Sequence, residues 1–155
     1  MILKSSTGGA PGTFLEADHG ISATEGVPFA PFITIDPTHS QNLYFTGNKR
    51  IYQSTDGASL WKAISPDVTA GFMGPCAIAV APSDSNTVYS GSCDGVIKVT
   101  HNALAGTASV WRDISAGLPG NAVTHITVDP GSAKKAYAPL SRANQLAGTL
   151  GSTAI

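Results

Sequence analysis

Three stretches of the chain share one pattern: Phe32-Ile33-Thr34-Ile35-Asp36-Pro37, Ala77-Ile78-Ala79-Val80-Ala81-Pro82 and His125-Ile126-Thr127-Val128-Asp129-Pro130. Each is an alternating apolar run stopped by a proline, as a strand running into a turn would be. The prolines lie 45 and 48 residues apart, and seven residues after each comes a tyrosine: Tyr44, Tyr89 and Tyr137. Those tyrosines sit in Leu43-Tyr44-Phe45, Val88-Tyr89-Ser90 and Ala136-Tyr137-Ala138, which read as the returning strands of hairpins. A period of this length constrains the fold strongly. A single unit cannot bury its own apolar face, so like units must pack against one another.

The second half of each unit repeats as well. Ile51-Tyr52-Gln53-Ser54 matches Ile97-Lys98-Val99-Thr100, and Ile2-Leu3-Lys4-Ser5 reads as an earlier copy. A polar, Gly-containing turn follows each. Next comes an aromatic strand: Leu60-Trp61-Lys62-Ala63-Ile64-Ser65, Val110-Trp111-Arg112-Asp113-Ile114-Ser115, and in shorter form Thr13-Phe14-Leu15-Glu16-Ala17. One repeat is thus four short strands in about 45 to 50 residues, the size of a propeller blade. No segment carries a helical period over 11 residues or more. The expected fold is all-β: twelve strands forming antiparallel four-stranded blades, about three blade-equivalents in all. The repeat occupies 1–142, as a half-blade at 1–17, blades at about 31–65 and 76–115, and a half-blade at 124–139. Residues 143–155 break the repeat and read as an irregular tail. Closed propellers have about four to eight blades, and three cannot close a ring. Two chains would supply six, so the sequence predicts a homodimer forming one six-bladed ring.

Composition narrows the function classes. Hydrophobic residues make up 42% and charged residues 12%, which excludes a charge-solvated disordered chain. Nine Lys and Arg face ten Asp and Glu, and no basic cluster exceeds the pairs Lys49-Arg50 and Lys134-Lys135. Nucleic acid is therefore not an expected partner, since phosphate binding needs a concentrated basic surface. No apolar run approaches the roughly 20 residues that span a bilayer, so no membrane partner is expected either. Met1-Ile2-Leu3-Lys4-Ser5 does not read as a signal peptide.

Between the third and fourth strands of the 31–65 unit stands Ser54-Thr55-Asp56-Gly57-Ala58-Ser59-Leu60-Trp61. It resembles the Asp-box, or bacterial neuraminidase repeat, with the pattern Ser-x-Asp-x-Gly-x-Thr-Trp. Here Ala58 stands at the Gly position and Leu60 at the Thr position. The other copies depart further: Ser5-Ser6-Thr7-Gly8-Gly9 leads to Phe14 without an Asp, and Thr100-His101-Asn102 leads to Trp111 through a longer loop. The resemblance covers residues 1 to about 140 and implies a β-propeller. Its members include sialidases, xyloglucanases and sortilin-like receptors, so it marks a scaffold and not one reaction. It also implies an extracytoplasmic or secreted home. Ser54, Asp56 and Trp61 read as structural: the Asp accepts from backbone N–H groups of the turn, and the Trp covers the turn.

Sialidase-like chemistry would need an arginine cluster, a Tyr nucleophile and an acid. The chain has only Arg50, Arg112 and Arg142, at non-equivalent points of the repeat, and its repeat tyrosines read as core. Inverting hydrolysis of a polysaccharide needs two carboxylates about 6.5 to 9.5 Å apart. The loops expected on one face, at 18–31, 46–50, 66–76, 91–95 and 116–124, hold Asp18, Glu25, Asp67 and Asp94. Asp67 and Asp94 are the catalytic candidates, against the plainer reading of turn-capping acids. Ligand-binding candidates on the same face are Glu25, Lys49, Arg50, Phe72, Asn121 and His125, the last expected at the start of an inner strand. His19, His39, His101 and His125 show no metal-ligand spacing and no phosphate-cradling loop is present, so neither metal nor cofactor is expected.

A hairpin joining strands near 76–82 and 87–93 turns at about residue 84, which puts Cys76 and Cys93 on neighbouring or diagonal positions. Such neighbours can form a disulfide; the alternative is two buried thiols. The preferred functional reading is a non-catalytic propeller module whose loops bind a glycan or a protein. The competing one is part or a relative of an Asp-box glycoside hydrolase, xyloglucanase- or sialidase-like.

Overall fold

The alternating runs form strands because their branched and aromatic residues pack well on a pleated sheet, while Pro, Gly and Asp end them. The computed structural model describes residues 1–26, 28, 31–71 and 73–141. Among these residues the strands are β1 Leu3–Lys4, β2 Leu15–Glu16, β3 Ile33–Ile35, β4 Leu43–Thr46, β5 Ile51–Ser54, β6 Lys62–Ala63, β7 Pro75–Ala81, β8 Asp84–Ser92, β9 Ile97–Thr100, β10 Trp111–Asp113, β11 Thr127–Val128 and β12 Ala136–Tyr137. Helix among the described residues is confined to a 3-10 segment at Ala103–Ala108.

The strands make two four-stranded antiparallel sheets, β3-β4-β5-β6 and β7-β8-β9-β10, flanked by two-stranded sheets, β1-β2 and β11-β12. Registers repeat between units. Tyr44 pairs with Gln53 across β4 and β5, and Tyr89 pairs with Val99 across β8 and β9. The sheets pack face to face, and their alternation decides which side chains meet. Tyr44, Ile51, Ile64 and Val68 on one sheet enclose Ile78, Val80 and Val88 of the next. Beyond it, Ala77, Ala81, Tyr89, Ile97 and Val99 meet Val123, Ile126 and Val128. At the other end, Ala17 lies against Phe45, Tyr52, Ala58 and Trp61. The sheets approach closely enough that a Cβ at Gly91 would run into the Val123 side chain.

Four expectations need correction. The terminal strands are shorter than 1–5, 13–17, 124–129 and 135–139 suggest, because each two-stranded sheet has only a short ladder. Trp61 lies just before its strand, and Trp111 opens its own. Tyr137 is not core: its equivalents Tyr44 and Tyr89 are buried by the following sheet, whereas among the described residues no sheet follows β12 and Tyr137 is exposed. His125 precedes β11 and is exposed, so it starts no strand. Arg142, Phe72 and the 143–155 tail fall outside the described residues.

Candidate loop face

The turn at 54–61 is held by its own side chains. Asp56 Oδ1 accepts from the Ser54 hydroxyl at 2.7 Å and from the N–H groups of Ser59 and Leu60 at 3.0 Å. The Ser54 hydroxyl in turn accepts from Ala58 N–H at 2.9 Å. These bonds, led by the Ser54 hydroxyl, hold the Asp56 carboxyl below the usual carboxylate range. In the next unit Asn102 takes the same place: its Oδ1 accepts from the Thr100 hydroxyl at 2.9 Å and from Val110 N–H at 2.8 Å. The same turn is thus braced by a carboxylate in one unit and by an uncharged amide in the next. Trp61 does more than cover the turn: it is buried, and its Nε1 donates to Ala17 O of the preceding sheet at 2.7 Å.

On the opposite end of the sheets, loops from three units meet. The Glu25 carboxylate reaches the β4–β5 turn, where Oε1 accepts from Lys49 and Arg50 N–H at 2.9 and 3.0 Å. Its other oxygen lies 3.9 Å from Arg50 Nε. Lys49 Nζ lies 3.3 Å from Asp67 Oδ2, and Asp67 Oδ1 accepts from both N–H and hydroxyl of Thr69. Burial pushes the Asp67 carboxyl up, but the Thr69 bonds and the Lys49 ammonium outweigh it and hold it low. Asp94 accepts from the Ser92 hydroxyl through one oxygen and from Ala70 and Met73 N–H through the other. Both catalytic candidates therefore grip the same loop, 67–73.

A depression of about 440 Å³ beside that loop is lined by Met73, Cys93, Asp94, Asn121, Ala122 and Ser141, among others. A recess of about 50 Å³ on the loop's other side is lined by Asn48, Lys49, Thr69 and Met73. The structure thus gathers Glu25, Lys49, Arg50 and Asp67 on one side and Asp94 with Asn121 on the other. It leaves His125 out of both hollows. Met73, Asn48 and Lys98, whose Nζ donates to Asp67 O at 2.8 Å, escaped the sequence reading. Met73 and Asn48 gave no signal, being a lone apolar and a lone amide residue in loops. Lys98 sits on a strand, where a solvent-facing lysine is ordinary.

Cys76 and Cys93 are joined by a disulfide with Cα atoms 5.3 Å apart. Cys76 falls where the β7–β8 register shifts between Pro75 and Ala77, and Cys93 immediately follows β8. Cys93 lines the larger depression, and the bond ties it to the start of β7, just beyond loop 67–73. Burial pushes the Tyr44 phenol up to about 12, the opposite of what a tyrosine nucleophile requires. Among the described residues no group of three or more His, Cys, Asp or Glu could hold a metal ion, and no helix is long and apolar enough to cross a membrane.

No family model matches the chain, and no curated protein matches it. The structure is similar to that of a GH74 enzyme from Niastella koreensis, with a TM-score of 0.53 and 22% identity. The match covers 69% of this chain and 17% of that one. The likeness concerns the fold and supports a β-propeller relationship for these four-stranded sheets.

Proposed function

We propose that the chain is a non-catalytic β-propeller module of the Asp-box kind, presenting the loop face around 67–73 for a glycan or a protein. One observation carries this reading: the two catalytic candidates are already engaged, Asp67 with the Thr69 N–H and hydroxyl through one oxygen and the Lys49 ammonium through the other, and Asp94 with the Ser92 hydroxyl and the Ala70 and Met73 N–H groups. A general acid or base needs an oxygen aimed at substrate. The shallow hollows beside the loop, edged by Met73, Asn48, Lys49 and Asn121, suit sugar hydroxyls or a peptide edge. On this reading two copies close one six-bladed ring. The disulfide suits an oxidising, extracytoplasmic compartment.

The second reading, part or a relative of a glycoside hydrolase, is favoured by the structural neighbour alone. A glycan array together with a reducing-sugar assay on plant polysaccharides separates the two. Binding without sugar release is the expected result. Sugar release that disappears in Asp67→Asn or Asp94→Asn would establish the hydrolase instead.

A further inference from the structure

Equivalent positions of the repeat have very different exposure, and the difference follows their place in the chain. Tyr44 and Tyr89 are 0% and 6% exposed, each packed on the inner strand of the following sheet, whereas Tyr137 is 56% exposed. The residues that receive those tyrosines show the reverse order. Ile78 and Val80 receive Tyr44, Ile126 and Val128 pack with Tyr89, and all four are buried; their equivalents Ile33 and Ile35 are 50% and 53% exposed. The aromatic strand behaves in the same way. Ala17 and Ile64 are covered by Trp61 and Trp111 of the next unit, while the equivalent Ile114 is exposed, as is Phe14, the counterpart of the two tryptophans.

One end of the chain thus displays the donor half of an inter-sheet contact already made twice within it. The other end displays the acceptor half. A groove of about 370 Å³ at the acceptor end is lined by Leu3, Ile33, Ile35, Ser40 and Leu43, among others. β1 and β12 each have one unpaired edge among the described strands, a state that invites pairing. Exposed apolar surface with a matching partner surface favours association.

The geometry points to a second copy of this chain as the occupant, with β11–β12 of one copy completing a four-stranded blade on β1–β2 of the other. This deepens the ring reading above and rests on it. The register follows from the internal pairs. Tyr44 opposite Gln53 and Tyr89 opposite Val99 place Tyr137 opposite Lys4 of the second copy, and Ala138 opposite Leu3. Tyr137 then lies on Ile33 and Ile35. Tyr89 donates its hydroxyl proton to Ala133 O at 2.7 Å; the residue equivalent to Ala133 is Ser40, which lines the groove, so the Tyr137 hydroxyl donates to Ser40 O. The contact is made twice about a two-fold axis, which leaves neither edge free.

Light scattering on the 155-residue chain, with its disulfide intact, should report twice the mass of one 15.8 kDa chain. Tyr137→Ala should shift that mass to a single chain while keeping the β-rich circular dichroism spectrum. Leu3→Cys and Ala138→Cys, prepared separately, mixed and oxidised, should give a 3–138 linked peptide by mass spectrometry. A monomer at all concentrations, or links only of the 3–3 or 138–138 kind, would overturn the composite blade. A monomer would also point to further blades as the natural cover of these edges. Because mass and cross-link readouts involve no ligand, their failure is separate from any failure of the binding-module reading, which the glycan array tests.

Discussion

Trp61 Nε1 donates to the main-chain oxygen of Ala17 at 2.7 Å, across the gap between the β1–β2 and β3–β6 sheets. Fifty residues on, Trp111 Nε1 repeats the contact with Ile64 O at 2.9 Å, joining the two four-stranded sheets. Each tryptophan therefore couples its own unit to the one before it. The indole supplies both apolar area and the one donor that satisfies a carbonyl left over at the end of the preceding strand.

Trp61 is almost wholly buried and has an edge-to-face contact with Phe45, ring centroids 6.0 Å apart. Trp61→Ala should cost about 3 to 5 kcal/mol in urea denaturation, as large aromatic deletions from packed sites do. Trp61→Phe keeps most of the packing but loses some ring volume and leaves the Ala17 carbonyl without its donor, so about 1 to 3 kcal/mol is expected. Trp111 is half-buried, and Trp111→Ala should cost less than Trp61→Ala. Equal losses for the two alanine variants would contradict their difference in burial.

How much of this was legible in the sequence depends on the range of the interaction. The alternating runs, the prolines and the tyrosines are local signals, and they located all four sheets. The fate of Tyr137 was not local: its sequence matches Tyr44 and Tyr89, but burial depends on whether a sheet follows. The tryptophans gave the same lesson, since nothing near Trp61 shows that Ala17 O awaits a donor. At the loop face, Glu25, Lys49, Arg50 and Asp67 were selected for their charge and do cluster. Besides pairing with Arg50 and Lys49, the carboxylates of Glu25 and Asp67 accept from backbone N–H groups, which carry no sequence signature, and so their bracing role was hidden.

The Cys76–Cys93 bond closes a loop with a sequence separation of 17. Chain-entropy arguments give about 3 kcal/mol for a loop of that size. Reduction with dithiothreitol should therefore lower the urea midpoint clearly, and non-reduced peptide mapping should recover residues 76 and 93 on one linked species. Two free thiols after aerobic purification, with an unchanged midpoint on reduction, would contradict the bond.

Acid should weaken the fold through its turn-capping aspartates. Burial pushes the Asp36 carboxyl up, but bonds from Thr38, Ser85 and Asn42 outweigh it and hold it below its ordinary value of 3.8. Asp67 is held low in the same way, against its own burial, and Asp113 is held low first by its bond from Ser115. Depressed carboxylates contribute stability that is complete above the unfolded value and is lost as pH falls through the folded one. Stability should thus be level from about pH 7 to pH 5 as far as these groups go, and fall below about pH 4. Asp36→Asn should flatten that fall in denaturant titrations across pH. A variant with the full wild-type acid slope would show that Asp36 contributes none of it.

Glu25 offers the most local test, because its carboxylate is the clasp on the β4–β5 turn. Its oxygen accepts from both Lys49 and Arg50 N–H, and the side chain itself is largely shielded. Lys49 and Arg50 are exposed, and each is a trypsin cleavage residue. While the clasp holds, the turn is fixed against Gly47, whose N–H donates to Arg50 O at 2.8 Å, and should resist the extended conformation a protease requires. Glu25→Ala removes both acceptor bonds, but the freed N–H groups lie near solvent and can be hydrated. The global cost should therefore be modest, about 1 to 2 kcal/mol. The local effect should be larger in kind: limited trypsin digestion at 47–51 should accelerate several-fold while cuts elsewhere stay at the wild-type rate. Glu25→Gln, which keeps one acceptor oxygen, should fall between the two. Unchanged cleavage after Lys49 and Arg50 in Glu25→Ala would mean that the turn is held by its own ladder and that Glu25 is free to serve a ligand.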